Sequence, residues 1–127
     1  RWMPHSPTRL YQAWTQEFDL WFAAPGTVVM EPQPGQPWFF VTEFNGQRHP
    51  HYGRIMRLQP ARLVEMTWVT GKGGTEGAET LLTVELNPEK DGTRVRLAHR
   101  GFPNAESAAQ HEKAWPLVLA QQEERLK

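Results

Sequence analysis

The chain has 127 residues, no cysteine, and 14 basic against 14 acidic side chains, for a formal net charge of zero. That is the size of one ordinary domain, and it excludes disulfides, cysteine–zinc sites, iron–sulfur clusters and thiol catalysis. No excess of positive charge is available for nucleic acid, no apolar run approaches the roughly 18 residues of a membrane span, and no secretory leader is visible, so a cytoplasmic protein is expected.

The chain opens at Arg1 without an initiator methionine, and its first strand is expected to be incomplete. Ser6 before Pro7 reads as an N-cap with proline at the first helical position. Leu10, Ala13, Trp14 and Phe18 come next at helical spacing. A second short helix runs through Phe18, Leu20, Trp21 and Phe22, and Pro25-Gly26 stops it. Thr27 to Met30 reads as a strand, and Pro32, Pro34, Gly35 and Pro37 then break the chain.

Trp38 to Phe44 is a strand, and Asn45-Gly46 is a strong two-residue hairpin signal. That loop pairs Phe44 with Gln47, Glu43 with Arg48, Thr42 with His49 and Phe40 with His51. The charge complementarity of Glu43 and Arg48 supports this register. Pro50 cannot donate to a ladder, so the return strand is expected to start irregularly or lie at an edge. It continues to about Leu58. Gln59-Pro60-Ala61 is a turn, and Leu63 to Thr70 is the next strand. Gly71-Lys72-Gly73-Gly74 reads as a flexible loop; it lacks the Gly-Lys-Ser/Thr ending of a phosphate loop and precedes a strand. Glu79 to Leu86 and Thr93 to Phe102 are the last strands, with a turn from Asn87-Pro88 to Asp91-Gly92 between them. Asn104 caps a long final helix, whose inner stripe is Ala108, His111, Trp115, Val118, Leu119, Gln122 and Leu126. Pro116 is expected to bend it.

The order is a strand remnant, two short helices, about six antiparallel strands and one long helix. One helix covers that many strands only if the sheet curls around it. This describes an α+β domain with a space between sheet and helix.

Four stretches carry a resemblance. They are Leu10-Tyr11-Gln12-Ala13-Trp14-Thr15 with Trp21-Phe22-Ala23, Pro60 to Trp68, Gly92 to Pro103, and His111 with Ala114-Trp115 and Leu119. Together they resemble the SRPBCC, or START-like (Bet v 1-like), superfamily, in its branch named for activators of the heat-shock-protein-90 ATPase. The resemblance spans nearly the whole chain and implies one domain over residues 1–127 with the helix-grip fold: a curved antiparallel sheet of six to seven strands around a long C-terminal helix. It implies binding of apolar ligands, cyclisation of polyketides, or partnership with a chaperone.

Several residue groups could carry chemistry. His49 and His51 share a strand face with Trp38, Phe40 and Thr42, but a metal needs a third ligand that the sequence does not place, so no metal or other cofactor is expected. His99, inward beside Val95 and Leu97, and His111, on the helix stripe, are candidate acid–base groups, with Glu65 or Glu79 as conceivable carboxylate partners. Trp14, Trp21, Trp38, Phe40, Trp68, Phe102 and Trp115 either fill the core or wall a pocket. Arg94, Arg96 and Arg100 read as an outer, solvated row.

The first expectation is a binding module for a small apolar or aromatic molecule. Its contacts would be Trp38, Phe40, His51, Ile55, Trp68, His99, His111 and Trp115, with Tyr52 a further orienting group. The second is a cyclase- or hydrolase-type enzyme using His99 or His111. The third is a chaperone-partner role; a homodimer is also left open.

Overall fold

The computed structural model describes all 127 residues, Arg1–Lys127. In chain order the elements are β1 (Trp2–Met3), α1 (Pro7–Thr15), α2 (Phe18–Trp21), β2 (Val29–Met30), β3 (Pro37–Phe44), β4 (Gln47–Gln59), β5 (Leu63–Trp68), β6 (Thr80–Glu89), β7 (Gly92–Arg100) and α3 (Ala105–Arg125). The seven strands form one antiparallel sheet in the order β1-β7-β6-β5-β4-β3-β2. The sheet curves around the helices: this is the helix-grip fold, α+β in class.

Local chemistry explains the element ends. The Ser6 side chain accepts from Arg9 N at 3.0 Å and starts α1. Asn104 Oδ1 accepts from Ser107 N at 2.8 Å and starts α3, which runs through Pro116 on its exposed side. Asn45 and Gly46 take φ of 52° and 74°, which is the type I′ geometry a two-residue hairpin needs. The β3–β4 register is the expected one, from Phe44↔Gln47 to Phe40↔His51.

Several strand ends differ from expectation by a few residues, and two of them have a local chemical reason. Thr27 is not in β2; its hydroxyl accepts from Val41 N (3.1 Å) and donates to Ala24 O (2.8 Å), so its side chain takes the place of a backbone ladder. Pro88 lies inside β6, not in a turn. Leu86 N–H points to Arg62 O, so position 88 points the same way, past the end of β5 at Leu63↔Glu85. No neighbour there requires the missing N–H. Pro50 obeys the same logic. Tyr52 N–H bonds Val69 O, so Pro50 faces the side where β5 has already ended, while β4 stays regular against β3. The proline sits at a local edge, as expected, without disturbing the start of the strand.

That divergence of β4 from β5 positions the site. The two strands pair only over Ile55–Gln59, with a bulge at Met56, and touch once more through the Tyr52↔Val69 bridge. A bulge bends the strand that carries it. Gly53 permits the close passage, because a Cβ there would lie 2.1 Å from Thr67 O. Beyond the bridge, Gln47–His51 leave the β5 edge, and a gap opens beneath α3.

The core lies between the concave face and all three helices. Trp14, Trp21, Trp38, Trp68, Phe18 and Phe40 are among its largest fully buried side chains. Their rings meet in a continuous chain: Trp14–Trp21 at 4.8 Å, Phe18–Phe40 at 4.7 Å and Trp38–Trp68 at 5.1 Å between centroids. Such pairs favour offset and edge-to-face geometry. Most of the tryptophans are therefore filling.

Candidate functional site

Two open grooves flank α3. The first, of about 760 Å³, lies against the free edge of β7 and is lined by Val95, Arg96, Leu97, His99, Phe102, Ala108, Glu112 and Leu119, among others. The second, of about 830 Å³, lies between the β3–β4 hairpin, the loop after Thr70 and α3. Its apolar wall is Phe22, Phe44, Trp68, Trp115 and Val118, and its polar groups include Thr42, Gln47, His49, His51, Thr70 and Lys72. His111 and Trp115 line both grooves and form the partition between them.

The partition is rigid. Trp115 Nε1 donates to His99 Nδ1 at 3.0 Å. An indole N–H only donates, so His99 Nδ1 is the bare nitrogen and its proton sits on Nε2. That N–H donates to Thr80 Oγ1 at 2.6 Å, and the Thr80 hydroxyl donates on to Trp68 O at 2.5 Å. Both ring nitrogens of His99 are thus engaged. Burial, and then the proximity of His111, push its pKa down to about 3. His99 is a structural strut between sheet and helix, poorly suited to proton transfer at neutral pH.

His111 is placed differently. Its Nδ1 lies 2.8 Å from Ser107 O, one turn back on α3. A carbonyl only accepts, so Nδ1 carries the proton and Nε2 has no protein partner. His51 repeats the arrangement. Its Nδ1 lies 3.0 Å from His49 O, and its ring stacks on Phe40 at 5.2 Å. Burial above all pushes the His51 pKa down to about 4.

The loop that closes the second groove is bolted down, contrary to the flexible segment expected from its glycines. Thr70 N donates to Thr75 Oγ1 and Thr75 N donates to Thr70 Oγ1, each at 2.8 Å. Ser107 Oγ donates to Gly74 O at 2.7 Å and ties the loop to the first turn of α3.

The sequence-derived candidates divide between several places. His51, Trp68, His111 and Trp115 meet in the second groove, and His99 lines the first. Trp38, Phe40 and Ile55 are sealed in the core beneath and line neither groove. Tyr52 also lines neither; it pairs with Phe39 on the outer face of the sheet and is half exposed. The conceivable carboxylate partners lie elsewhere. Glu65 bonds Arg57 (2.8 and 3.0 Å) and Thr83 (2.8 Å), which hold its carboxyl below the usual range, and Glu79 faces Arg54. No cluster of three or more His, Asp or Glu side chains forms a metal site. Arg94 pairs with Glu89 on the exposed side of β7, and Arg96 borders the first groove.

Groove residues not anticipated are Phe22, Phe44, Thr70, Lys72, Ala114 and Val118. Phe44 was within reach, since it continues the two-residue alternation of Trp38, Phe40 and Thr42. The others depend on where the loop and α3 dock.

A family model described as Activator of Hsp90 ATPase homolog 1-like protein matches residues 4–127. No curated protein matches the chain. Among solved structures, protein CV1439 from Chromobacterium violaceum is similar with a TM-score of 0.79 at 21% identity, over 97% of this chain and 91% of that one. The AHSA1 (SPO3351) protein from Silicibacter pomeroyi gives 0.79 at 21%, over 99% and 93%. CalU16 from Micromonospora echinospora gives 0.73 at 19%, over 100% and 73%. At these identities the structures attest the fold alone, and no helix of this chain is long and apolar enough to cross a membrane. The match to the family model over nearly the full length establishes the rest: the chain belongs to the family of Activator of Hsp90 ATPase homolog 1-like proteins.

Proposed function

We propose that this protein binds one small apolar or aromatic molecule in the groove between the β3–β4 hairpin, the loop after Thr70 and α3. The observation that carries this reading is the aromatic wall of Phe22, Phe44, Trp68 and Trp115 around a space of about 830 Å³. Small-molecule sites occupy roughly 300–1,000 Å³ and combine apolar walls with a few convergent polar groups. Affinity comes from apolar surface leaving water, at about 25 cal/mol per Å². His51, Trp68, His111 and Trp115 contact the ligand; His99 holds Trp115, and Trp38, Phe40 and Ile55 support the floor. Titration with N-phenyl-1-naphthylamine, which brightens on leaving water, tests the reading. One saturable site is expected, and a linear, unsaturable rise contradicts it.

A second reading is favoured by the unengaged Nε2 of His111, which is placed to exchange a proton with a bound molecule. In that case the protein is an acid–base enzyme of cyclase or hydrolase type. No carboxylate orients His111; the Ser107 carbonyl does so instead. Turnover found with any substrate would have to vanish in His111→Phe. A chaperone-partner role rests on the family description alone, and a pull-down from lysate with no chaperone retained counts against it.

A further inference from the structure

We infer that the groove selects hydroxy-aromatic ligands, whose phenolic O–H is donated to a bare Nε2 nitrogen, that of His111 or that of His51. This rests on the ligand-binding reading above and names its ligand class.

Tautomer logic carries the argument. In both histidines Nδ1 faces a backbone carbonyl, Ser107 O at 2.8 Å for His111 and His49 O at 3.0 Å for His51. Each Nδ1 must therefore be the N–H, and each Nε2 the lone-pair acceptor. Neither Nε2 has a hydrogen-bond partner in the protein, and neither is among the polar atoms sealed from solvent. His51 lines only the second groove, and His111 lines it as part of the partition shared with the first, so the second groove is the one space that both residues border. The groove thus combines aromatic walls with two acceptors held in one tautomer by the backbone.

An aromatic molecule complements this surface only if it carries a donor. A phenol does, and it stays neutral below about pH 10. A carboxylic acid does not, because at neutral pH it is ionised and has no O–H to give. Two cations, Arg48 and Lys72, also border the groove. The hairpin register places Arg48 opposite Glu43, on the sheet face away from His49 and His51, so it does not define the floor. Lys72 is exposed on the loop.

Displacement of N-phenyl-1-naphthylamine by three matched competitors tests the inference. 2-Naphthol has the donor, 2-methoxynaphthalene has the same rings without it, and 2-naphthoate has a charge in its place. The expected order is naphthol tighter than the ether by about tenfold, or about 1.4 kcal/mol, with naphthoate weakest. Whichever of His111→Phe and His51→Phe removes the accepting nitrogen should shrink the naphthol advantage, and both should leave the ether's affinity within about twofold. Should the more buried His51→Phe fail to fold, the parent's preference between naphthol and its ether still decides. Equal affinity of naphthol and its ether, a preference that survives in both variants, or naphthoate as the tightest ligand overturns the hydroxy-aromatic assignment and leaves the binding reading standing. Failure of the naphthylamine probe to bind at all overturns the binding reading itself.

Discussion

The indole Nε1 of Trp115 and Nδ1 of His99 lie 3.0 Å apart, and that single bond joins α3 to β7. Because the indole can only donate, it fixes the tautomer of His99 and blocks the nitrogen that would take up a proton. Trp115→Phe keeps an aromatic ring and removes the donor. The expected loss is about 1 kcal/mol of stability, together with an upward shift of the His99 pKa. Urea titration reads the first, and NMR titration of the imidazole Cε1–H reads the second. An unmoved pKa would show that the bond does not hold His99 neutral.

Acid sensitivity arises from two histidines. Unfolded, each takes up a proton near pH 6.5. Folded, burial delays protonation to about 3 for His99 and about 4 for His51. Between these limits the unfolded state binds more protons, so stability is full above about pH 6.5 and falls as the pH drops toward 3. Each group contributes at most about 1.4 kcal/mol per pH unit in that window. Urea unfolding at pH 7.5 and pH 5.5 should show the loss, and His51→Phe should flatten part of it. A curve unchanged by that replacement would place the proton uptake elsewhere.

Thr75 is fully buried and holds both the N–H and the carbonyl of Thr70 through its hydroxyl, at 2.8 and 3.0 Å. Thr75→Val preserves the shape and leaves the Thr70 N–H without a partner. The expected cost is about 1–3 kcal/mol. Hydrogen exchange should speed up at the Thr70 and Gly77 amides, which are anchored in the same turn. Unchanged protection there would show that the glycines alone define the loop.

The sequence reading and the structure agree most closely where local chemistry decides. Asn45-Gly46 sets the whole β3–β4 register, and Ser6 and Asn104 set two helix starts. All three depend on atoms within four residues. Pro50 and Pro88 were harder, because a proline's cost depends on whether a neighbouring strand is still present at its level. The pocket was the least legible part. Alternation along β3 puts Trp38, Phe40 and Thr42 on one face, but only long-range packing, of Trp68 on Trp38 and of Phe18 on Phe40, seals those two rings while Thr42 borders a groove. The Thr70–Thr75 bolt could not be anticipated either, since its reciprocal bonds need a fold-back that the glycine spacing does not specify.

Gln122 is fully buried on α3, and neither its Nε2 nor its Oε1 bonds another protein group. Burial of an unpaired amide costs roughly 1–3 kcal/mol. Gln122→Met, similar in length and apolar, should raise stability by about 1 kcal/mol or more, read as a higher urea midpoint with unchanged slope. A lower midpoint would show that the amide is satisfied in solution.

Occupancy of the second groove is tested most directly by filling it. Ala114 is exposed on α3 and lines only that groove, while Glu112, also exposed, lines only the first. N-phenyl-1-naphthylamine should bind the parent protein and Glu112→Trp alike, and lose at least about tenfold in affinity for a folded Ala114→Trp. Equal binding to Ala114→Trp, or loss confined to Glu112→Trp, would place the ligand outside the groove formed by the hairpin, the loop and α3.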